Sequence, residues 1–179
     1  MVAETLSDFQ IDDLNPEISE NARQFICDLT LAWASYDVAV SYWTVVAFGL
    51  PLDRGAMFLG NMDTRAKLDK LVKLYDNFGA EGAAEKVKGL RKEHIAHVDI
   101  RNALQHASCR GMLYSQPDRL VFSYMRMLEP GRMQMDAIHL EQIIKAATFA
   151  TEATKRIFEI TDSMTAHDQE PREQGPEPQ

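Results

Sequence analysis

The chain has 179 residues, the size of a single domain. With 45% hydrophobic and 26% charged residues, the composition excludes a fibrous or largely disordered chain. Two cysteines, Cys27 and Cys109, are too few for a disulfide framework or a cysteine zinc cluster, and they fit a reducing compartment. Because the polar N-terminus lacks the pattern of a secretory signal, we expect a cytoplasmic protein without a membrane span.

The formal net charge of −8 is concentrated at the two ends of the chain. Residues 1–15 carry four acidic and no basic side chains, and residues 165–179 have a net charge of −3, so the rest of the chain is near −1. This bulk charge argues against strong nonspecific binding to nucleic acid, and no DNA partner is expected. A nearly neutral core can still carry a local basic surface.

A loose acidic arm over residues 1–15 precedes the longest periodic segment. Apolar side chains then recur every three or four residues for about eight turns, which predicts one long amphipathic helix. Asn15 is the expected N-cap with Pro16 in the first turn, and Gly49 and Pro51 end the helix. The apolar positions are Ile18, Ala22, Phe25, Leu29, Trp33, Tyr36, Val40, Trp43 and Ala47.

Two further helices are predicted after a short connection over residues 50–61. Asp63 or Thr64 is expected to cap the first of these, which ends at Gly79 and buries Leu68, Leu71, Val72, Tyr75 and Phe78. The next helix extends from about residue 81 to residue 106. Its inward stripe turns polar and basic over the last two turns and comprises Val87, Leu90, His94, Val98, Arg101 and Gln105.

The sequence period changes after Gly111. Residues 112–115 and 120–127 predict a hairpin around Pro117, and a second turn at 129–132 leads to a short strand at 133–135. Asp136 is expected to cap a last helix that ends near Ser163, with its inward positions at Ile143, Ala147, Ala150 and Ile157.

The predicted fold is therefore mainly α. It has an antiparallel four-helix-bundle core over residues 16–163, with a small β insertion at about 111–135 before the last helix. Residues 164–179 are acidic, contain three prolines and are expected to be disordered.

The end of the third predicted helix contains the densest group of chemically active side chains. An arginine, Arg101, is followed directly by Asn102 and five positions later by His106. This spacing resembles the R-x4–6-H motif of the HEPN superfamily. The long apolar first helix, the basic start of the second at Arg65 and Lys67, and the β insertion before a closing helix are also similar, over residues 16–163.

The resemblance implies a metal-independent ribonuclease of the toxin or phage-defence type, which needs no cofactor. It also implies RNA and an antitoxin or other protein as partners. His106 would act as general acid or base and Arg101 would stabilise the phosphate, while Asn102 would orient His106. Supporting roles are assigned to Asp37, as a buried partner of Arg101 or His106, and to His97 and Gln105.

The spacing of Arg101 and His106 also predicts a homodimer. Five positions correspond to about 140° around an ideal helix, so one chain presents the two side chains on different faces. Two motifs that meet across a two-fold axis would complete a site, and HEPN-type proteins typically dimerise in this way.

Other interpretations remain open. Arg101 and His106 can be a structural pair at a helix end, in a non-catalytic dimerising module that binds a protein or a small ligand. His94 and His97 can bind a metal with Asp99 or His106, but without a placed third ligand no metal site is assigned. Asp37 can also face the solvent, and Cys27 can be a small buried hydrophobic residue. Trp33, Tyr36 and Trp43 can belong to the core or to a dimer interface rather than to a stack that holds a ligand.

Overall fold

The computed structural model describes residues 4–5, 13–129 and 132–167, with side chains over 13–124 and 135–165. It is mainly helical, as predicted, and its antiparallel sheet is larger than the predicted β insertion. The helices are α1 (Glu20–Ala47), α2 (Leu52–Leu59), α3 (Thr64–Asn77), α4 (Glu81–His106) and α5 (Leu140–His167). The strands are β1 (Glu4–Thr5), β2 (Leu14–Asn15), β3 (Ser108–Leu113), β4 (Arg119–Glu129) and β5 (Arg132–His139).

The long first helix is confirmed, but it begins later than predicted. Ser19 is the N-cap, and its hydroxyl accepts a hydrogen bond from the Ala22 amide at 3.2 Å. The predicted cap, Asn15, is instead paired with Met112 of β3, because Leu14–Asn15 forms an edge strand. The aromatic side chains of the predicted stripe, Trp33, Tyr36 and Trp43, are buried in the core. Cys27, expected to be buried, is exposed.

The predicted connection over residues 50–61 contains the helix α2. Eight residues are too few to show a clear helical period in the sequence. Gly55 allows this helix to lie close to α1, because a Cβ atom at that position would clash with the Val45 side chain. Asp63 caps α3 as predicted, but Phe78, predicted to be buried, is 79% exposed because it is the residue that follows the last helical turn.

The sheet has the order β1-β5-β4-β3-β2, and all neighbouring strands are antiparallel. The predicted hairpin corresponds to β3 and β4. Asp136, predicted to cap the last helix, is instead buried in β5 opposite Phe122. The helix α5 begins four residues later, where the Gln142 side chain accepts a hydrogen bond from the His139 amide at 3.1 Å.

Both ends of the helical domain differ from the prediction. Two short pieces of the expected loose arm, β1 and β2, form the edges of the sheet. At the other end α5 continues to His167, beyond the predicted end near Ser163. Residues 164–167 of the tail that was expected to be disordered therefore belong to α5. The rest of that tail, 168–179, and residues 130–131 of the second predicted turn lie outside the described residues.

One core connects the helices and the sheet. The helix α1 packs along α5, α3 packs along α4, and α1–α3 and α4–α5 contacts link the two pairs. The largest core side chains include Leu29, Trp33, Tyr36, Trp43, Leu68, Leu71, Phe122, Ile138, Ile143 and Ile157. None of the described helices combines the length and the apolar composition that a membrane crossing needs.

Candidate functional site

A cleft of about 600 Å³ lies between α1, α3 and α4. This volume is within the range of small-molecule sites, about 300–1,000 Å³. The charged and polar side chains that carry the argument below are Asp37 from α1, Arg65 and Lys67 from α3, and His94, Arg101 and Asn102 from α4. Two of the predicted catalytic residues therefore line one cleft together with the predicted supporting residue Asp37.

The Arg101 guanidinium is held by two neighbours at the wall of this cleft. One terminal nitrogen, Nη1, donates to the Asn102 amide oxygen at 3.1 Å, and Nη2 lies 3.6 Å from the Asp37 carboxylate. The other Asp37 oxygen accepts a hydrogen bond from the Thr64 hydroxyl. Asp37 therefore faces its predicted partner Arg101, and it connects α1 to both α3 and α4.

His106 lies outside the cleft although it belongs to the same helix as Arg101. It is the last residue of α4, its side chain is exposed, and it makes no hydrogen bond or ion pair with the described part of the chain. Asn102, predicted to orient His106, instead accepts a hydrogen bond from Arg101. Gln105 is also exposed and does not line the cleft. Within one chain, Arg101 and His106 therefore do not line the same cleft.

His97 faces α5 rather than the cleft. Its ring stacks on Phe149, with 5.1 Å between the ring centroids and 24° between the planes. Burial lowers the pKa of His97, and the nearby Glu93 carboxylate partly opposes that effect. Over the described residues, no group of three or more histidine, cysteine or acidic side chains is arranged to hold a metal ion.

His94 is the histidine that lines the cleft. It is 3% exposed, and its ring contacts Trp33 and Tyr36 at centroid distances of 5.6 and 5.8 Å. Its Nδ1 has no hydrogen-bond partner among the described residues. Burial lowers its pKa, while the Asp37 and Asp63 carboxylates act in the opposite direction. The spacing in the sequence could have indicated this position. His94 precedes Arg101 by seven residues, almost two full turns, so both side chains lie on the same face of the helix.

Lys67 was predicted only as part of the basic start of a helix, but in the structure this residue is largely buried. Its side chain is 9% exposed, and its ammonium donates to the Ser41 hydroxyl at 3.0 Å. No carboxylate among the described residues lies within ion-pair distance of that ammonium. Arg65, on the exposed rim, also has no such carboxylate among them.

The cleft therefore combines cationic groups with a buried imidazole. Guanidinium and ammonium groups bind phosphate oxygens, and a neutral imidazole can both donate and accept a hydrogen bond. Comparisons of the chain with protein-family models, with curated proteins and with solved structures returned no match.

Proposed function

We propose that this chain is a HEPN-like, metal-independent ribonuclease of the toxin or phage-defence type. In this proposal two chains with four-helix-bundle cores pair about a two-fold axis, and Arg101 of one chain acts with His106 of the other. The observation that carries the proposal is the separation of the two side chains. Arg101 lines the cleft, whereas His106 is exposed at the end of α4 without a partner among the described residues.

Arg101 supplies the positive charge in this proposal. A guanidinium stays charged at any physiological pH and can bind two phosphate oxygens at once. Its contacts with Asn102 and Asp37 restrict the orientations that the side chain can adopt. A donor that is already oriented before substrate binds can stabilise the extra negative charge that develops on the scissile phosphate.

His106 supplies the proton transfer. An imidazole titrates near neutral pH, so it can accept the proton of the ribose 2′-hydroxyl as that oxygen attacks the phosphorus. The bond from phosphorus to the 5′-oxygen then breaks, and that oxygen takes a proton. The products are a 2′,3′-cyclic phosphate and a 5′-hydroxyl end. An exposed His106 side chain is accessible to RNA that approaches from outside the cleft.

The test compares RNA cleavage by the wild type, His106→Ala and Arg101→Ala, with Lys92→Ala as an exposed control on the same helix. Loss of the general acid or base should lower the rate about 10²–10⁴-fold. Loss of the charge-stabilising donor should lower it about 10²–10³-fold. Lys92→Ala should retain wild-type activity, and EDTA should not inhibit any active protein. A wild type that cleaves nothing in a broad RNA panel contradicts the proposal.

A second candidate is a non-catalytic dimerising module that binds a protein or a small ligand. The observation that favours it is the cleft itself, which is lined by buried polar groups but lacks His106. Under this candidate the wild type is inert towards RNA. Arg101→Ala would then lower only the free energy of unfolding, by about 1–3 kcal/mol, because Asn102 and Asp37 lose a partner.

A further inference from the structure

We propose that the cleft between α1, α3 and α4 binds a phosphomonoester, the terminal phosphate of a free nucleotide or of an RNA end, through Lys67, Arg65 and Arg101. This binding does not require the chain to cleave RNA, because His106 is not among the residues that line the cleft. The inference depends on two cations of the cleft that no described carboxylate contacts, and on buried polar atoms that lack hydrogen-bond partners among the described residues.

The first step is the ammonium of Lys67, a residue that is 9% exposed. An ammonium has three donors, and the described residues provide one acceptor, the Ser41 hydroxyl at 3.0 Å. A buried charge without a counter-ion is costly, so such groups in proteins are normally paired. The side chain lines the cleft, so an anion bound there would supply both the missing charge and the missing acceptors.

Three carboxylates, Asp37, Asp63 and Asp99, also line the cleft, and none of them contacts Lys67 or Arg65. Asp37 pairs with Arg101 and accepts a hydrogen bond from Thr64. Asp63 caps α3, where its side chain accepts a hydrogen bond from the Ala66 amide at 2.7 Å. Asp99 is exposed. Lys67 and Arg65 therefore remain the cations of the cleft that the described carboxylates do not neutralise by direct contact.

The beginning of α3, where the Asp63 carboxylate caps the Ala66 amide, also borders the cleft. This helix has 14 residues, and its first turn, with Thr64, Arg65 and Lys67, forms one wall of the cleft. The N-terminal end of a helix carries a partial positive charge and amide groups that face outward along its axis. A phosphate in the cleft would approach this end together with the two cationic side chains.

Two buried polar atoms of the lining side chains have no hydrogen-bond partner in the part of the chain that the structure describes. They are the His94 Nδ1 and the Arg101 Nε atoms. A buried polar atom that makes no hydrogen bond destabilises the protein, so both side chains gain from a ligand that brings oxygens or ordered water into the cleft. Next to them Ile95 and Val98 give the cleft an apolar wall, which leaves room for the nucleoside part of a ligand.

Isothermal titration calorimetry of the 179-residue chain tests this proposal with four probes. These are inorganic phosphate, an equimolar mixture of the four nucleoside 5′-monophosphates, and one RNA hexamer with either a 5′-phosphate or a 5′-hydroxyl. Phosphate and the monophosphates should bind, and the phosphorylated hexamer should bind more tightly than its hydroxyl form. Tighter binding of the phosphorylated hexamer than of the monophosphates identifies an RNA end as the ligand, and the reverse identifies a free nucleotide. Absence of phosphate binding, or measurable binding of both hexamers with equal affinity, overturns the proposal.

Variants of α3 provide the matched comparison. Lys67→Met and Arg65→Gln should each weaken phosphate binding, the former about tenfold or more, because a charge-assisted hydrogen bond is lost. Lys73→Met removes a charge from the exposed side of the same helix and should change the affinity less than about twofold. Phosphate should raise the melting temperature of the wild type but not of Lys67→Met. If Lys67→Met does not fold, the exposed Arg65 still gives the decisive measurement.

The same measurements separate this proposal from the ribonuclease proposal. His106→Ala should bind phosphate as the wild type does, whether or not the wild type cleaves RNA. A chain that cleaves RNA without binding phosphate in the cleft disproves only the phosphomonoester site. A chain that binds phosphate but cleaves no RNA disproves only the nuclease.

Discussion

The Arg101 guanidinium lies 3.6 Å from the Asp37 carboxylate, so the end of α4 is connected to the middle of α1. The two side chains are 25% and 32% exposed, which leaves the pair partly screened by solvent. Because Asp37 also accepts a hydrogen bond from Thr64, this carboxylate joins all three helices that surround the cleft. The geometry of the cleft should therefore respond to loss of this one charge.

Asp37→Asn should lower the free energy of unfolding by about 0.5–1 kcal/mol, the range for partly exposed ion pairs. Urea denaturation measures the change. The exposed Asp28→Asn on the same helix is the control and should change stability by less than about 0.5 kcal/mol. In a double-mutant cycle with Arg101→Gln, the second substitution should cost less in the Asp37→Asn background. Strictly additive effects would show that the pair does not interact.

Two glycine-to-alanine substitutions should have opposite effects on stability. Gly111 has φ +125°, and an added Cβ would collide with the backbone of Asn15 and Pro16, so Gly111→Ala should destabilise the fold by about 1–3 kcal/mol. Gly89 lies inside α4 with nothing within 4 Å of an added Cβ. Gly89→Ala should stabilise the protein by about 1 kcal/mol because alanine favours a helix. Melting temperatures of the two variants that shift in the same direction would contradict this account.

Helical periodicity predicted the long elements well, because their apolar stripes are repeated over many turns. The predicted third helix, from about residue 81 to residue 106, coincides with α4. The misplaced ends have tertiary causes. Asn15 and Asp136 are both good capping residues, but each pairs with a neighbouring strand instead. The strand partner is about a hundred positions away for Asn15 and fourteen positions away for Asp136. Local sequence patterns do not contain such partners, so they cannot show whether the residue caps a helix or pairs with a strand.

The sequence predicted only part of the candidate site, because some of its residues come together only through the packing of helices. Arg101 and Asp37 could be proposed as partners from their residue types and the resemblance, and the ion pair is present. His94 shares a helix face with Arg101, a relationship that the spacing alone contains. The burial of Lys67 in the cleft could not be predicted, because it depends on how α3 packs against α1 and α4.

The buried imidazole of His94 should make the protein less stable in mild acid. Burial lowers its pKa from 6.5 in the folded state. Below about pH 6.5 the unfolded chain therefore binds a proton that the folded chain does not, so stability present above this pH is lost as the pH falls towards the folded pKa. His97 has a pKa lowered by burial and acts in the same direction.

Melting temperatures measured from pH 7.5 to pH 5 test this prediction. The wild type should lose stability over this range, and His94→Gln should show a shallower dependence because one of the two contributing imidazoles is absent. Lys92→Gln replaces an exposed side chain of the same helix and should follow the wild-type profile. The comparison uses the slope, since removing a buried ring also lowers stability at every pH. Parallel profiles for wild type and His94→Gln would assign the acid sensitivity to other groups.

A mixing experiment tests whether the nuclease site is shared between two chains. Light scattering at micromolar concentration should first show a dimer. Arg101→Ala and His106→Ala homodimers should be inactive, but a heterodimer of the two contains one composite site with both residues intact. After unfolding and refolding an equimolar mixture, random pairing makes about half of the dimers heterodimers, so about a quarter of wild-type activity should return. Refolded single variants are the controls. If Arg101 and His106 instead act within one chain, every site in the mixture lacks one residue and no activity returns.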